Sequence, residues 1–420
     1  MKSSAIPGFY KLSIDERVRL VKEFAGLSEA EAGLLKGCAL PAETANRMIE
    51  NVVGIHGLPL GIATYFTING RDCLIPMALE EPSVVAAASH AAKLAREAGG
   101  FHAEAGEPLM SGQIQLVGVA NAGKAAEDIS AHAGELLASL RDVDAVLVKH
   151  GGGPRELGAR VLETARGKMV VAELVVDVRD AMGANAVNTM CEKLAPRLEK
   201  ITGGRARLRI LSNLAVRRLA RASAVWKKEV IGEDAVEGVL DAWALAEADS
   251  FRCATHNKGV MNGVDAVAVA TGNDWRALEA GAHAYAARSG KYAPLTRYEK
   301  DGQGNLTGFI ELPIAAGVVG GATRTHPLAQ LALKIMGVAT ARELAMVMAC
   351  VGLANNFAAL RALVTEGIQR GHMALHARNI AVMAGAKGSE IDAVAEALAA
   401  EGNVRIDRAR EVLARLRKRR

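Results

Sequence analysis

Lys258 stands among small and amide residues, His256, Asn257, Gly259, Asn262 and Gly263, within residues 252–275, RCATHNKGVMNGVDAVAVATGNDW. Asp274 follows sixteen residues later, after the turn-forming pair Gly272-Asn273. The run between them, VDAVAVA, is too apolar for a surface loop and reads as buried. An ammonium and a carboxylate at the two ends of a buried, glycine-rich segment suit oxyanion stabilisation with proton supply. The same spacing is also met by a buried Lys–Asp pair, or by two surface charges that never meet. One unbroken helix would hold the two groups about 24 Å apart. For them to meet, Asn262-Gly263 must break the segment, or the contact must cross between subunits.

Three further clusters could do chemistry. Glu80-Glu81 precede Pro82-Ser83 and an Ala-rich stretch. Adjacent carboxylates at a strand end suit general acid work if one is desolvated; a solvated loop beside a helix dipole is the plainer reading. His372 and His376, four apart, share one helical face. A zincin helix needs Glu directly after its first His, and Met373 stands there, so no metal site is expected. A proton donor near an anionic ligand, with Arg378 alongside, fits better; solvated imidazoles at a helix end fit as well. Finally, Asp180-Ala-Met182-Gly183-Ala-Asn185 places glycine and amide groups at an expected helix N-terminus, where a pyrophosphate could bind. An ordinary strand-to-helix turn reads the same way, and the GxGxxG dinucleotide fingerprint is absent.

The elements that must position these groups are legible in outline. Ser13…Glu16 and Ser28…Glu31 are capping-box patterns opening a helical pair over 13–37. IATYFTI and RDCLIPMAL flank Asn69-Gly70, the signature of a two-residue hairpin. From about 107 to 214 apolar strands alternate with helices: GQIQLVGVA, AVLVKH and RARLRILSN as strands, MVVAELVVDVRDAMGAN as a strand passing into a helix. This pattern describes a small α/β domain inserted into a larger one. Beyond Lys258 the chain reads as mostly helical, with one hairpin around residues 301–305. The long stretches 341–369 and 372–385 read as amphipathic helices suited to packing between subunits.

At 420 residues, two or three domains are expected. Half the residues are apolar and 23% charged, ordinary for a globular protein. The net charge of +5 is modest and gathers in the terminal RAREVLARLRKRR, so no general nucleic-acid footprint emerges. Five scattered cysteines without CxxC spacing imply reduced thiols and no zinc site. No signal peptide is read at the N-terminus, and no apolar run reaches about 18 residues, so a soluble cytoplasmic protein without a membrane span is expected.

Taken in order, ENVVG (50–54), EEPSVVAAAS (80–89), DAMGAN (180–185), SNLA (212–215), THNKGVMNG (255–263), ATGNDW (270–275) and GHMALHARN (371–379) closely resemble one family. It is 3-hydroxy-3-methylglutaryl-CoA (HMG-CoA) reductase, in its soluble bacterial and archaeal class, and the resemblance spans essentially the whole chain. It implies an α/β (α+β) fold with a large α/β substrate domain, residues 1–107 and 215–369. It further implies an inserted small ferredoxin-like NAD(H)-binding domain, 108–214, and a C-terminal helical flap, 370–420.

The implied reaction reduces HMG-CoA with two NAD(P)H to mevalonate and CoA, or runs in reverse. By resemblance, Lys258 stabilises the developing alkoxide, Glu81 supplies a proton and Asp274 tunes the Lys–Glu network. His372 protonates the departing CoA thiolate. Ser83, Arg252 and Asn262 match positions around the HMG group, where an arginine can grip a carboxylate bidentately. Asp180, Met182, Gly183, Asn185 and Asn213 match the nicotinamide and pyrophosphate pocket. Asp144 matches an acidic residue near the adenine ribose, which favours NADH over NADPH. No metal is implied, and a homodimer or assembly of dimers with interfacial active sites is. Two competing readings predict other behaviour: a non-redox CoA-thioester enzyme (lyase or thioesterase) would turn over an acyl-CoA without NAD(P)H. A nucleic-acid binder would lose salt-dependent DNA binding without residues 405–420.

Overall fold

The computed structural model describes residues 3–37, 39–365 and 377–418. Ten strands form two sheets: β1 (Leu60–Ile68), β2 (Arg71–Ala78), β3 (Phe101–Ala105), β4 (Leu109–Val117), β5 (Gly153–Thr164), β6 (Gly167–Asp177), β7 (Arg205–Leu211), β8 (Leu219–Trp226), β9 (Thr296–Lys300) and β10 (Leu306–Pro313). The larger sheet has the order β2-β1-β3-β8-β10-β9, the smaller β5-β6-β4-β7.

The β1–β2 hairpin turns at Asn69 (φ 49°) and Gly70 (φ 77°), the two positive φ values that a mirror-image two-residue turn requires. The 145–150 run, expected as a strand, is instead the short helix Ala145–Lys149. Asp144 caps it by accepting from the Leu147 N–H at 2.9 Å. A short apolar run is ambiguous between strand and helix, and a local cap decides it here. The strand of that region is β5, whose mostly exposed residues hide it from hydrophobic periodicity.

The smaller sheet is antiparallel and carries the helices Ala122–Ala131 and Ala184–Thr202 between its strands, in β-α-β-β-α-β order. That is the ferredoxin-like topology. Its core joins Ile114, Leu116, Val170 and Leu174 of the sheet to Ile129, Val187 and Leu194 of the helices. The insertion leaves the larger sheet at the end of β3 and returns through β8. Ala105 pairs with Ala220, so the two crossing strands are immediate neighbours.

The larger core is built around the helix Ala341–Val364, buried along most of its length. By length and composition alone it could cross a membrane, yet Asn355-Asn356 interrupt its apolar run and most of it is buried inside the protein. It fills the interior of its own sheet-and-helix layer, with Phe357 stacked on Trp226 at 3.8 Å between ring centroids. A helix apolar on all sides belongs in a core. Ser13 and Ser28 both complete reciprocal capping boxes with Glu16 and Glu31. At the other end the helices Ser389–Glu401 and Ile406–Lys418 make a small separate cluster through Val394, Leu398, Val412 and Leu413.

Candidate active site

Two elements distant in sequence bring the first pair of reactive groups together. After β2 the chain runs through Glu81 and Pro82 to Ser83, which opens the helix Val84–Arg96 at φ 75°, a conformation few non-glycine residues adopt. From the core helix, the Asn355 amide donates to the Val84 carbonyl at 3.1 Å and fixes where this helix starts. Lys258 lies midway along the helix Ser250–Ala270, which Asp249 caps through the Arg252 N–H. Its Nζ donates to Glu81 Oε2 at 2.5 Å, across 177 residues of sequence. The lysine side chain is 55% exposed and the glutamate 34%. A pair so open contributes at most about 1 kcal/mol to stability, so the fold does not depend on it.

The two elements that carry this pair also carry polar groups that the fold leaves unused. Among the described residues, Ser83, Arg252 and Asn262 make no side-chain hydrogen bond or ion pair, although Arg252 and Asn262 are half-buried. Burial holds the Arg252 guanidinium below its usual pKa. Asn262 lies one helical turn beyond Lys258 on the same face. His256 and Asn257, which look like surroundings of the lysine in sequence, face the other way. His256 is buried, pushed down to about 3 mainly by that burial, and its Nε2 lies 2.6 Å from Thr296 Oγ1. Asn257 accepts from the Leu295 N–H at 2.9 Å and donates to the Ala293 carbonyl at 3.0 Å. Both fasten the lysine helix to the segment that leads into β9.

Asp274 does not join them within one chain. The helix Ser250–Ala270 is continuous, so Asn262-Gly263 does not break it, contrary to the first alternative drawn from sequence. Lys258 is about 18 Å of helix from its end. Gly263 has a different purpose: a Cβ there would stand 2.7 Å from the Val351 carbonyl oxygen, so the glycine lets the core helix approach closely. Asp274 caps the next helix, Trp275–Ala286, accepting from the Ala277 N–H at 3.1 Å, and pairs with Arg276 at 3.1 Å.

The groups expected around a dinucleotide lie near the junction of the two sheets. Gly183, at φ 102°, opens the helix Ala184–Thr202 with no side-chain cap and no acidic residue in the first turn. Those uncapped N–H groups fit a diphosphate. Met182 is half-buried and Asn185 and Asn213 are exposed. Asp180 has a structural partner, accepting from the Ala341 N–H at 2.8 Å where the core helix begins. Asp144 is half-buried at its cap. His372 lies outside the described residues; Arg378, beyond it, pairs with Asp392 at 2.9 Å.

Several residues escape a reading of the sequence. Asp265, on the Lys258 face two turns further on, is half-buried against Glu279, which pairs with His283 at 2.6 Å. Arg218, which no sequence pattern singles out, is buried. Asn273, read only as a turn residue, hydrogen bonds the backbone of Gly317 in both directions. The available signal was weak: an acid within an otherwise apolar helical run, and an amide directly before Asp274.

Comparison with known proteins agrees with this architecture. The family model for hydroxymethylglutaryl-coenzyme A reductase matches residues 13–377. The 3-hydroxy-3-methylglutaryl-coenzyme A reductase of Archaeoglobus fulgidus is 60% identical over 416 residues, 99% of this chain and 95% of that protein. A probable reductase of the same name from Borreliella burgdorferi is 37% identical over 352 residues, 79% of this chain and 77% of that one. The class II reductase from Streptococcus pneumoniae, described as bound to NADPH in open conformations, matches with a TM-score of 0.82 at 40% identity. That match covers 97% of this chain and 100% of the other. A second structure of the Streptococcus pneumoniae reductase gives a TM-score of 0.84 at 39% identity, over 98% and 99% of the two chains. These likenesses do not favour the non-redox reading, and none of these relatives is described as a nucleic-acid binder. The chain belongs to the hydroxymethylglutaryl-coenzyme A reductase family and is an oxidoreductase of that kind.

Proposed function

We propose that this chain reduces HMG-CoA to mevalonate and CoA through the Glu81–Lys258 pair, and that the pair is completed by Asp274 of a second copy. The observation that supports the reading is the 2.5 Å Lys258–Glu81 hydrogen bond, with Ser83 two residues from Glu81 and Arg252 and Asn262 on the Lys258 helix. Lys258 supplies positive charge where an alkoxide develops, and its bond to Glu81 gives the carboxyl a route for a proton to that oxygen. Arg252 grips the substrate carboxylate, with Asn262 and Ser83 on the neighbouring polar atoms. The nicotinamide cofactor supplies hydride when bound. The uncapped start of the helix Ala184–Thr202 holds its diphosphate, with Asp180, Met182, Asn185 and Asn213 around the nicotinamide end. Asp144 reaches the adenine ribose, and its charge favours NADH over a cofactor with a 2′-phosphate. His372, on the 370–420 flap, protonates the leaving thiolate.

In this scheme residues 108–214 bind the cofactor and the larger domain binds the substrate. Because the lysine helix runs unbroken to Ala270, Asp274 joins the Glu81–Lys258 pair from another subunit, in a homodimer. The test is absorbance at 340 nm with HMG-CoA and either NADH or NADPH, in the parent chain and in Lys258→Ala. Oxidation of two cofactors per CoA released, faster with NADH and lost in the folded variant, is the expected result. Near-normal turnover by Lys258→Ala would sink the mechanism. CoA release without any nicotinamide cofactor would instead support a thioesterase or lyase.

A further inference from the structure

We propose that Arg218, Asn273 and Gly281 are positioning residues that join the two cofactor-facing segments to the turn and helix carrying Asp274, so that cofactor and Asp274 move as one piece. The inference rests on the proposed placement of the cofactor beside residues 180–185 and 213. Three separate contacts carry it.

The first runs through Asn273. Its Oδ1 accepts from the Gly317 N–H at 2.7 Å and its Nδ2 donates to the Gly317 carbonyl at 3.1 Å, as a neighbouring strand would. Gly317 in turn lies against the cofactor corner. A Cβ there would stand 2.5 Å from the Met182 nitrogen, and the next residue, Val318, donates to the Asp180 carbonyl at 2.9 Å. Only a glycine permits an approach this close.

The second contact is Arg218, 5% exposed, on the segment that returns from the small sheet to β8. Its Nη1 donates to the carbonyls of Ala181 and Met182 at 3.1 and 3.2 Å, and its Nη2 to the Ala316 carbonyl at 2.5 Å. Among the described residues it forms no ion pair; Asp180 and Asp177 favour its charge only from a distance. For stability alone an apolar residue would fill such a site at lower cost. The planar guanidinium adds direction, because it fixes three carbonyls of two segments in one plane.

The third contact lies on the helix that Asp274 caps. At Gly281, two turns along, a Cβ would stand 2.6 Å from the Asn213 carbonyl oxygen, so the second cofactor-facing segment rests on this helix. Ser83, Lys258 and Arg252 lie on other elements. Lys258 and Arg252 lie about 18 Å or more back along the helix that leads into this turn, so the contacts named here reach the cofactor-facing segments directly and the substrate groups only through that helix.

The test compares the parent chain with Arg218→Lys and Gly281→Ala, measuring the Kd for NADH by fluorescence titration, the KM for HMG-CoA and the melting temperature. Alanine favours the helix over glycine and Asn213 is exposed, so Gly281→Ala disturbs the fold less than a change at the buried Arg218. The expected result is a cofactor Kd weakened roughly tenfold or more, with the KM for HMG-CoA within about twofold of the parent. A folded Gly281→Ala with unchanged cofactor Kd, or with both constants raised together, would overturn the inference. A parent chain that binds no nicotinamide cofactor would overturn the proposed function, and this inference with it.

Discussion

Asp265 and Glu279 form a carboxyl pair that the reaction itself does not require. Burial and the hydrogen bond to Glu279 push Asp265 up to about 9, while His283, bonded to Glu279, holds that carboxyl low. One Asp265 oxygen is buried without a hydrogen-bond partner. Like charges so close cannot both ionise, so the pair keeps one proton at neutral pH. An unfolded Asp titrates near 3.8. Between that value and about 9 the folded state holds a proton that the unfolded state has lost, so this group's contribution to stability declines as pH rises through the window. Glu279 is shifted the other way, and its effect lies at and below the ordinary carboxylate range. Asp265→Asn keeps a donor toward Glu279 without the titration. Denaturant unfolding at about pH 5, 7 and 9 should show the parent losing stability more steeply than the variant across that range. Parallel profiles would show that the pair does not hold a proton in the folded state.

At the scale of elements, the contact between the lysine helix and the core helix is the tightest test of the packing. Replacing Gly263 by Ala gains about 1 kcal/mol of helix propensity but drives a methyl into the Val351 carbonyl, where overpacking costs about 1–3 kcal/mol. Backbone on a buried helix cannot swing aside, so the clash should win and the melting temperature should fall. A melting temperature at or above the parent's would show that the two helices can slide apart. The same residue explains what the sequence could and could not reveal. Asn69-Gly70 acts as a hairpin signal because both φ values are set locally. Asn262-Gly263 has the same letters, yet the glycine serves a neighbour 88 positions away in the chain that no local pattern announces. The capping boxes at Ser13 and Ser28 were readable for the local reason, and so was the strand-helix alternation of the insertion. β5, mostly solvent-facing, and Arg218, which no sequence pattern singles out, were not. The Glu81–Lys258 pair became readable only through the family resemblance, since 177 residues separate its members.

At the scale of the whole molecule, Glu81 and Lys258 meet midway along the lysine helix and Asp274 lies beyond its C-terminal end, so the site as proposed draws on two copies. Lys258→Ala and Asp274→Ala should each be inactive alone. Mixed, unfolded and refolded together, they should recover activity, because half of the mixed dimers' sites would carry both residues. Random pairing sets the ceiling at about a quarter of the parent's activity. No recovery from a mixture shown to contain the mixed dimer would place all the residues in one subunit. The order in which the chain is threaded has its own kinetic consequence. β3 and β8 are adjacent in the larger sheet, but the entire insertion lies between them in sequence. Left unstructured, it would be a loop of more than a hundred residues whose closure entropy must be met before the central strands of that sheet could pair. Once the insertion has folded, its exit and entry strands already lie side by side. The threading therefore predicts that the small sheet forms before the central strands of the large one, and that a mutation slowing its collapse slows refolding of the large core, as stopped-flow refolding would show.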